Sequence, residues 1–236
     1  MLRIIDSRTG EPVDATPARR GLTRVEAQVA GYDATALRVL LVTDVLVRAL
    51  ELGGTPVWSV LTAERDHSEL RAGAAALGIR PFEDSRDVGT GMGEAQVIHV
   101  VREGGAMTAG PCVAVEPVTG SAEGADPAVL RLALTSRRRG LPVHLDEAAL
   151  NDAHDTLVRW RRAVAVWARE PSRPVPEEVR GELRAAWEDD LDVPGVLRVL
   201  RRVETSDLPA GARFETYAYA DRLLGLELAR DLGAFA

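Results

Sequence analysis

The sequence predicts an α/β fold in which a parallel-sheet core is followed by an all-α helical bundle. Up to about residue 124, short β-branched runs alternate with helical ones. From Asp126-Pro127 onward, helical spacing takes over. The chain has 236 residues, 46% hydrophobic and 28% charged, which is enough to bury a core as one large or two small domains. The expected division is residues 1–124 and 125–236.

Leu2 to Ile5 is an apolar run closed by the turn-forming stretch from Asp6 to Gly10, and Val25 to Val29 alternates as a strand does. Ala34 to Glu51 is apolar nearly all round, which predicts a buried helix stopped at Gly53-Gly54. Pro56 to Leu61 predicts the next strand and His67 to Leu77 an alanine-rich helix closed by Gly78. Gln96 to Val101 is a β-branched run suited to a covered parallel strand. Strand, helix, strand is a βαβ unit. Asp87 to Gly93 and Gly104 to Gly110 read as glycine-rich loops, Val113 to Val115 as a short extended piece, and Thr119 to Gly124 as a polar turn.

Asp126 is an N-cap candidate with Pro127 at the first helical position. Leu150, Ala153, Leu157, Trp160, Val164 and Trp167 recur at spacings of three and four, one seam along a helix. Arg173 to Pro176 breaks it, a further helix begins near Glu177, and Asp192-Val193-Pro194 caps another that carries Val196, Leu197, Leu200 and Val203. A last helix is expected from about Arg213 to Leu232, with Tyr219, Leu223 and Leu226 inward.

With 36 acidic against 29 basic residues the net charge is -7, which argues against tight sequence-blind binding to a phosphate backbone. The single cysteine, Cys112, excludes an internal disulfide and a zinc site built on several thiolates. The opening MLRIIDSRTGEPVD has acidic residues where a signal peptide needs an apolar core, and no apolar run approaches the ~18 to 20 residues that span a bilayer. A cytoplasmic protein without membrane attachment is expected. The Ala, Arg, Gly and Val content matches high-GC coding of the actinobacterial kind.

Several strings, in order, resemble one family. Leu2 to Val13 is similar to the amino-terminal strand-turn of cysteinyl-tRNA synthetases and of the related ligase that joins cysteine to a glucosaminyl-inositol in mycothiol synthesis. Val29-Ala30-Gly31 followed by Tyr32-Asp33-Ala34-Thr35 resembles their V-C-G-P-T-x-Y-D-A-T segment, and Asp44 to Gly54 the helix after it. Thr62 and Asp66 fall where the family has N-I-T-D-x-D-D, and VIHVVREGGAMTAG resembles its W-I-H to K-M-S-K-S stretch with His99, Gly105 and Met107 in register. Asp126 to Ser136 resembles the helix that names the DALR domain, Asp189 to Pro194 the D-D-x-D-T-P string, and Asp221 to Leu226 the D-x-V-L-G-L ending. The resemblance implies a class I, Rossmann-like (HUP-type) nucleotide-binding core followed by a DALR-type bundle, in a shortened and degenerate paralogue of cysteinyl-tRNA synthetase.

The departures bear on activity. No histidine stands where the family has H-I-G-H, on either of two alignments, and Ala106-Met107-Thr108-Ala109 replaces K-M-S-K, so both lysines are alanines. Those groups would hold ATP phosphates and stabilise charge during adenylate formation. Ala30 replaces the first zinc ligand, and the connective segment carrying the other ligands is missing. The sequence therefore predicts no cofactor, no metal and no amino-acid activation, in effect a pseudoenzyme.

What remains is a vestigial pocket of Gly31, Tyr32, Asp33, Thr62, Asp66, His99 and Met107, with catalytic residues unknown. His99 aligns with an active-site position of the family; a lone strand histidine is otherwise packed or exposed. Cys112 reads as a small core residue rather than a nucleophile, and His67, His144 and His154 lie on separate elements. Arg137 to Arg139 with Arg159, Arg161 and Arg162 suit either an RNA groove or a solvated helix face, and tRNA binding is not expected. The expected role is non-catalytic binding of a small molecule or a protein partner, including a second copy of the chain as a homodimer. The alternative is a ligase or transferase of specialised metabolism that uses a pre-activated aminoacyl substrate. A third, weaker reading is a tRNA or tRNA-fragment binder acting in trans.

Overall fold

A computed structural model describes residues 1–16, 22–84, 94–105 and 110–233. The chain opens with an antiparallel hairpin, β1 (Arg3–Asp6) and β2 (Glu11–Asp14), turned by Gly10 at φ +72°. The main sheet contains β3 (Leu22–Val29), β4 (Val57–Ala63), β5 (Glu83–Asp84), β6 (Glu94–Arg102) and β7 (Cys112–Val115). Its order is β5-β4-β3-β6-β7, and every pairing is parallel. Helix α1 (Ala34–Leu52) joins β3 to β4, and α2 (His67–Ala76) joins β4 to β5. The chain thus winds outward from β3 in one direction, then resumes at β6 on the other side. This α/β arrangement is compatible with a Rossmann-like core, and strand order reverses between β3 and β6.

Alternation along β3 sorts its faces. Thr23, Val25 and Ala27 are buried, whereas Arg24, Glu26 and Gln28 are half-buried. Helix α1 packs on the sheet and also meets α3 (Pro127–Thr135) and α7 (Ala210–Leu224), which is why it is apolar all round. One cluster of buried side chains runs from Ile4 and Val25 through Leu40 and Leu46 to Leu132, Leu200 and Leu223.

Beyond the main sheet, the structure departs from the expectation of a polar turn followed by helices alone. β8 (Val118–Gly120) pairs in parallel with β9 (Val143–Leu145), so Thr119 and Gly120, expected in a polar turn, belong to a strand. Three residues are too few to show a period. The remaining helices are α4 (Glu147–Trp167), α5 (Glu177–Glu188) and α6 (Val193–Glu204). Asp126, Asp146 and Asp192 cap α3, α4 and α6 through their carboxylates. Helix α7 ends at Leu224, short of the expected Leu232. Gly225 takes φ +60°, and the Asp221 carboxylate captures the Leu226 and Leu228 amides, giving the following chain a better partner than another helical turn. The α7 residue at the centre of the bundle is Tyr217, wedged edge-on between Trp160 and Trp167, while Tyr219 is only half-buried. Cys112 is fully buried in β7.

The two halves are joined by buried cations. Arg131 of α3 and Asp44 of α1, each 1% exposed at the side chain, approach to 2.7 Å. Arg131 also donates to the Leu77 carbonyl at 2.9 Å and the Leu224 carbonyl at 2.7 Å, so one guanidinium holds α1, α3 and the ends of α2 and α7. Arg48 adds a second contact to Asp44 at 2.8 Å. Burial works to raise the Asp44 carboxyl, and the adjoining Arg131 and Arg48 charges outweigh it, leaving it below the ordinary 3.8. Arg139 similarly ties Asp190 to the Ile5 and Ala114 carbonyls.

Breaking the buried pair on one side strands a charge. Arg131→Met should lower unfolding free energy by about 3 to 5 kcal/mol in urea titration, and the double variant Asp44→Leu/Arg131→Met should lose less than the two single losses together. Because the folded carboxyl titrates below its unfolded value, its contribution is present above that unfolded value and disappears as pH drops through the folded one. Asp44→Asn should accordingly show a shallower acid-side loss of stability than the native chain.

Candidate functional site

In open α/β sheets, ligands bind beyond the carboxyl ends of the strands where strand order reverses. The described residues form a crevice of about 440 Å³ at that place. Its apolar surface comes from Val29 at the end of β3, Ala36 and Val39 on the first turns of α1, and Val101 on β6. Its polar surface comes from Gln28, Tyr32, Asp33, Thr62, Glu64, Arg65 and Arg102.

Helix α1 begins inside this crevice. Asp33 is extended at its N-cap, and the carboxylate accepts from the Ala36 amide at 2.6 Å. Its other oxygen faces the Arg102 guanidinium at 3.3 Å. The amino end of a 19-residue helix carries a partial positive charge and is a natural anion site. Here the protein's own carboxylate already occupies it, and Arg102 is committed to that carboxylate.

The rim is built on a glycine. A Cβ on Gly31 would lie 2.6 Å from Arg65 Nε and 2.7 Å from Asp66 Oδ2, so a side chain there would have to displace the Arg65 and Asp66 side chains that cover the β3–α1 turn. Asp66 sits at the N-cap position of α2 with φ 57° but makes no capping bond there; its carboxylate accepts from the Tyr32 amide at 3.0 Å instead. The Tyr32 ring rests on Gly73 of α2 and stays half-exposed at the crevice mouth.

Below the crevice, one face of the sheet carries a polar network. Register sets Glu26 beside Val60 and His99, and Gln28 beside Thr62 and Val101. Thr62 donates to Glu26 at 2.7 Å, and Gln28 Nε2 reaches Glu26 at 3.3 Å and His99 Nδ1 at 3.1 Å. The His99 Nδ1–Glu26 distance is 3.8 Å. His99 is 5% exposed and lies behind the crevice lining, linked to it through Gln28.

Of the residues expected in the pocket, Gly31, Tyr32, Asp33 and Thr62 line the crevice, Asp66 braces its rim and His99 backs it. Met107, the Ala106 to Ala109 stretch and Gly89 to Gly93 lie outside the described residues. Sequence reasoning missed Glu26, Gln28, Glu64 and Arg102. A usable signal existed for two of them: a central parallel strand is ordinarily apolar on both faces, so Arg24, Glu26 and Gln28 at alternate positions of β3 marked a face with another task.

A larger groove of about 670 Å³ lies in the second half between α3, β9, α4 and α6. Arg137, Arg159 and Arg201 there face Asp146, Asp152 and Asp155, so its charge is balanced. Most of the other arginines weighed for RNA contact are engaged within the fold: Arg138 with Asp189 and Asp192, Arg139 with Asp190, Arg159 with Glu204, and Arg161 with the Leu226 carbonyl. Among the described residues no three His, Cys, Asp or Glu side chains gather as a metal site, and no helix is long and apolar enough to cross a membrane.

No protein-family model matches the chain. Part of it is similar to proteins named L-cysteine:1D-myo-inositol 2-amino-2-deoxy-alpha-D-glucopyranoside ligase. The protein of Parafrankia sp. (strain EAN1pec) is 41% identical over 91 residues, 39% of this chain and 20% of the relative. That of Streptosporangium roseum is 37% identical over 109 residues, 44% and 26% respectively. That of Kytococcus sedentarius is 34% identical over 123 residues, 45% and 28%. The match thus covers only a fifth to under a third of each relative's length.

If the network is structural support for the crevice, Glu26→Ala should strand Thr62 and Gln28 and cost about 1 to 3 kcal/mol in urea unfolding. A loss below a few tenths would mean that these groups find water instead.

Proposed function

We propose that the chain is a degenerate relative of the cysteine-activating class I ligases that binds a small ligand at the β3–β6 crevice without activating it through ATP. The observation that carries this reading is that no histidine stands at the amino end of α1, where the family it resembles has H-I-G-H, while Asp33, which that family shares, caps the helix and pairs with Arg102. A triphosphate approaching that helix end would meet a carboxylate and no histidine. The alanines at 106 and 109 remove the mobile cations that adenylate chemistry uses, and Ala30 removes a zinc ligand. Asp33, Tyr32 and Thr62 still give the crevice directional polar groups, which favours a ligand with both hydrogen-bonding and apolar parts. The division near residue 124, the DALR-type character of the second half and a cytoplasmic setting belong to the same proposal, as does a protein partner in place of the small molecule.

A second reading is a ligase or transferase that accepts an already activated aminoacyl group. It is favoured by the Thr62–Glu26–Gln28–His99 network, a polar arrangement that a purely structural sheet face does not need. Under it, His99→Ala would abolish turnover with an activated thioester or adenylate, whereas the binding-only reading expects no turnover in either protein.

Calorimetry against ATP, cysteine and a non-hydrolysable cysteinyl-adenylate mimic separates the roles. The expected result is weak or absent ATP binding and no cysteine-dependent exchange of pyrophosphate into ATP; measurable exchange by the native chain would overturn the proposal. Asp33→Ala should strengthen ATP or phosphate binding several-fold by freeing the helix end and Arg102, while costing about 1 kcal/mol of stability for the lost cap.

A further inference from the structure

The groove between α3, β9, α4 and α6 is separate from the β3–β6 crevice, and its volume of about 670 Å³ is that of a site for a small organic ligand. Leu132, Val143, Ala153 and Leu197, all buried side chains, supply its apolar surface. Some of its charged groups already have partners. Arg159 donates to Glu204 at 2.8 Å, and the Asp146 carboxylate accepts from the Ala149 amide at 2.8 Å.

Four others do not. Asp152 and Asp155 on α4, Arg137 just past the end of α3, and Arg201 on α6 are exposed and line the groove, and their side chains make no hydrogen bond or ion pair among the described residues. The free hydroxyl of Thr156 lies on the same lining. The signs are segregated: both free carboxylates stand on α4, and both free guanidiniums stand on other elements. Opposite charges thus share one groove without meeting across it. A helix field favours carboxylates in a first turn, but Asp152 and Asp155 lie beyond the first turn of α4. Two like charges three residues apart on one helix face repel each other, and no cation among the described residues pairs with either.

We propose that this groove binds a short zwitterionic peptide, about two to four residues long with both ends free. Its ammonium group sits against Asp152 and Asp155, and its carboxylate against Arg137 and Arg201, whose guanidiniums offer paired N–H donors to both carboxylate oxygens. The four free charges sum to zero. A purely anionic or purely cationic ligand would therefore gain at one side of the groove and be repelled at the other, whereas a dipolar ligand gains at both. A single amino acid would leave most of the volume unfilled. Apolar side chains on the peptide cover Leu132, Val143, Ala153 and Leu197, and the Thr156 hydroxyl meets its backbone.

Titration of the native chain with the tripeptide Ala-Leu-Ala, followed by amide chemical shifts, tests this. The free tripeptide should bind with a Kd of about 1 mM or tighter, and N-acetylation or C-amidation should each weaken it about tenfold. The double variant Asp152→Asn/Asp155→Asn should lose about the same factor for the free tripeptide while leaving the acetylated form unchanged, because the missing partner is then the same one. Arg137→Gln/Arg201→Gln should do likewise for the amidated form. No shifts with the free tripeptide at about 20 mM would overturn the proposal. Equal affinity for free and blocked peptides would overturn it too, as would binding undiminished in both double variants, which would put the peptide elsewhere. Should a variant fail to fold, the free and blocked peptides on the native chain decide.

Discussion

The contact on which the fold depends is the buried Arg131–Asp44 pair. Hydrophobic burial brings α1 against α3 and α7, but apolar contact is indifferent to small sliding and rotation. A cation donating to three separate acceptors is not. With one guanidinium meeting a carboxylate on α1 and carbonyls at the ends of α2 and α7, the register of four helices is fixed at a single point. Arg139 does the same at the other edge, where it couples the β1 hairpin to the α5–α6 turn through Asp190. Asp190 and Leu191 both take positive φ, at 51° and 56°, so that turn is held in a conformation non-glycine residues seldom adopt. Such strain persists only where the surroundings over-determine it.

The crevice follows a different logic. Its position is set by topology, since the sheet winds in opposite senses on either side of the β3–β6 junction. Its polarity is set locally, by a carboxylate placed where the helix field would otherwise favour an incoming anion. The crevice keeps the location where open α/β sheets bind ligands, with a carboxylate at its helix end. Part of the chain is similar to cysteine ligases, and scaffold and chemistry are separable in such folds.

Much of the fold was legible in the sequence because its signals are local. β3, α1, β4, α2 and β6 appeared in alternation and in apolar runs, two aspartate caps announced α3 and α6, and an apolar seam from Leu150 to Trp167 announced α4. β8 and β9 did not appear, since three residues carry no period and their pairing joins positions 25 apart in the chain. The end of α7 was misplaced because the capture of two amides by Asp221 is a tertiary choice that helical periodicity cannot reveal. For the site, Asp33, Tyr32 and Thr62 were found by likeness to a motif. Glu26 and Gln28 stand out as polar residues at alternate positions of β3, but their meaning depends on β3 being the central strand, which the sheet order discloses.

Tyr32, Asp33, Glu64 and Arg102 all belong to the crevice, and none is among the buried side chains that close the interior. Substitutions there leave the framework intact, so mutational drift at the mouth of the sheet proceeds without unfolding the molecule. On a scaffold arranged in this way, new binding preferences can be tried one residue at a time.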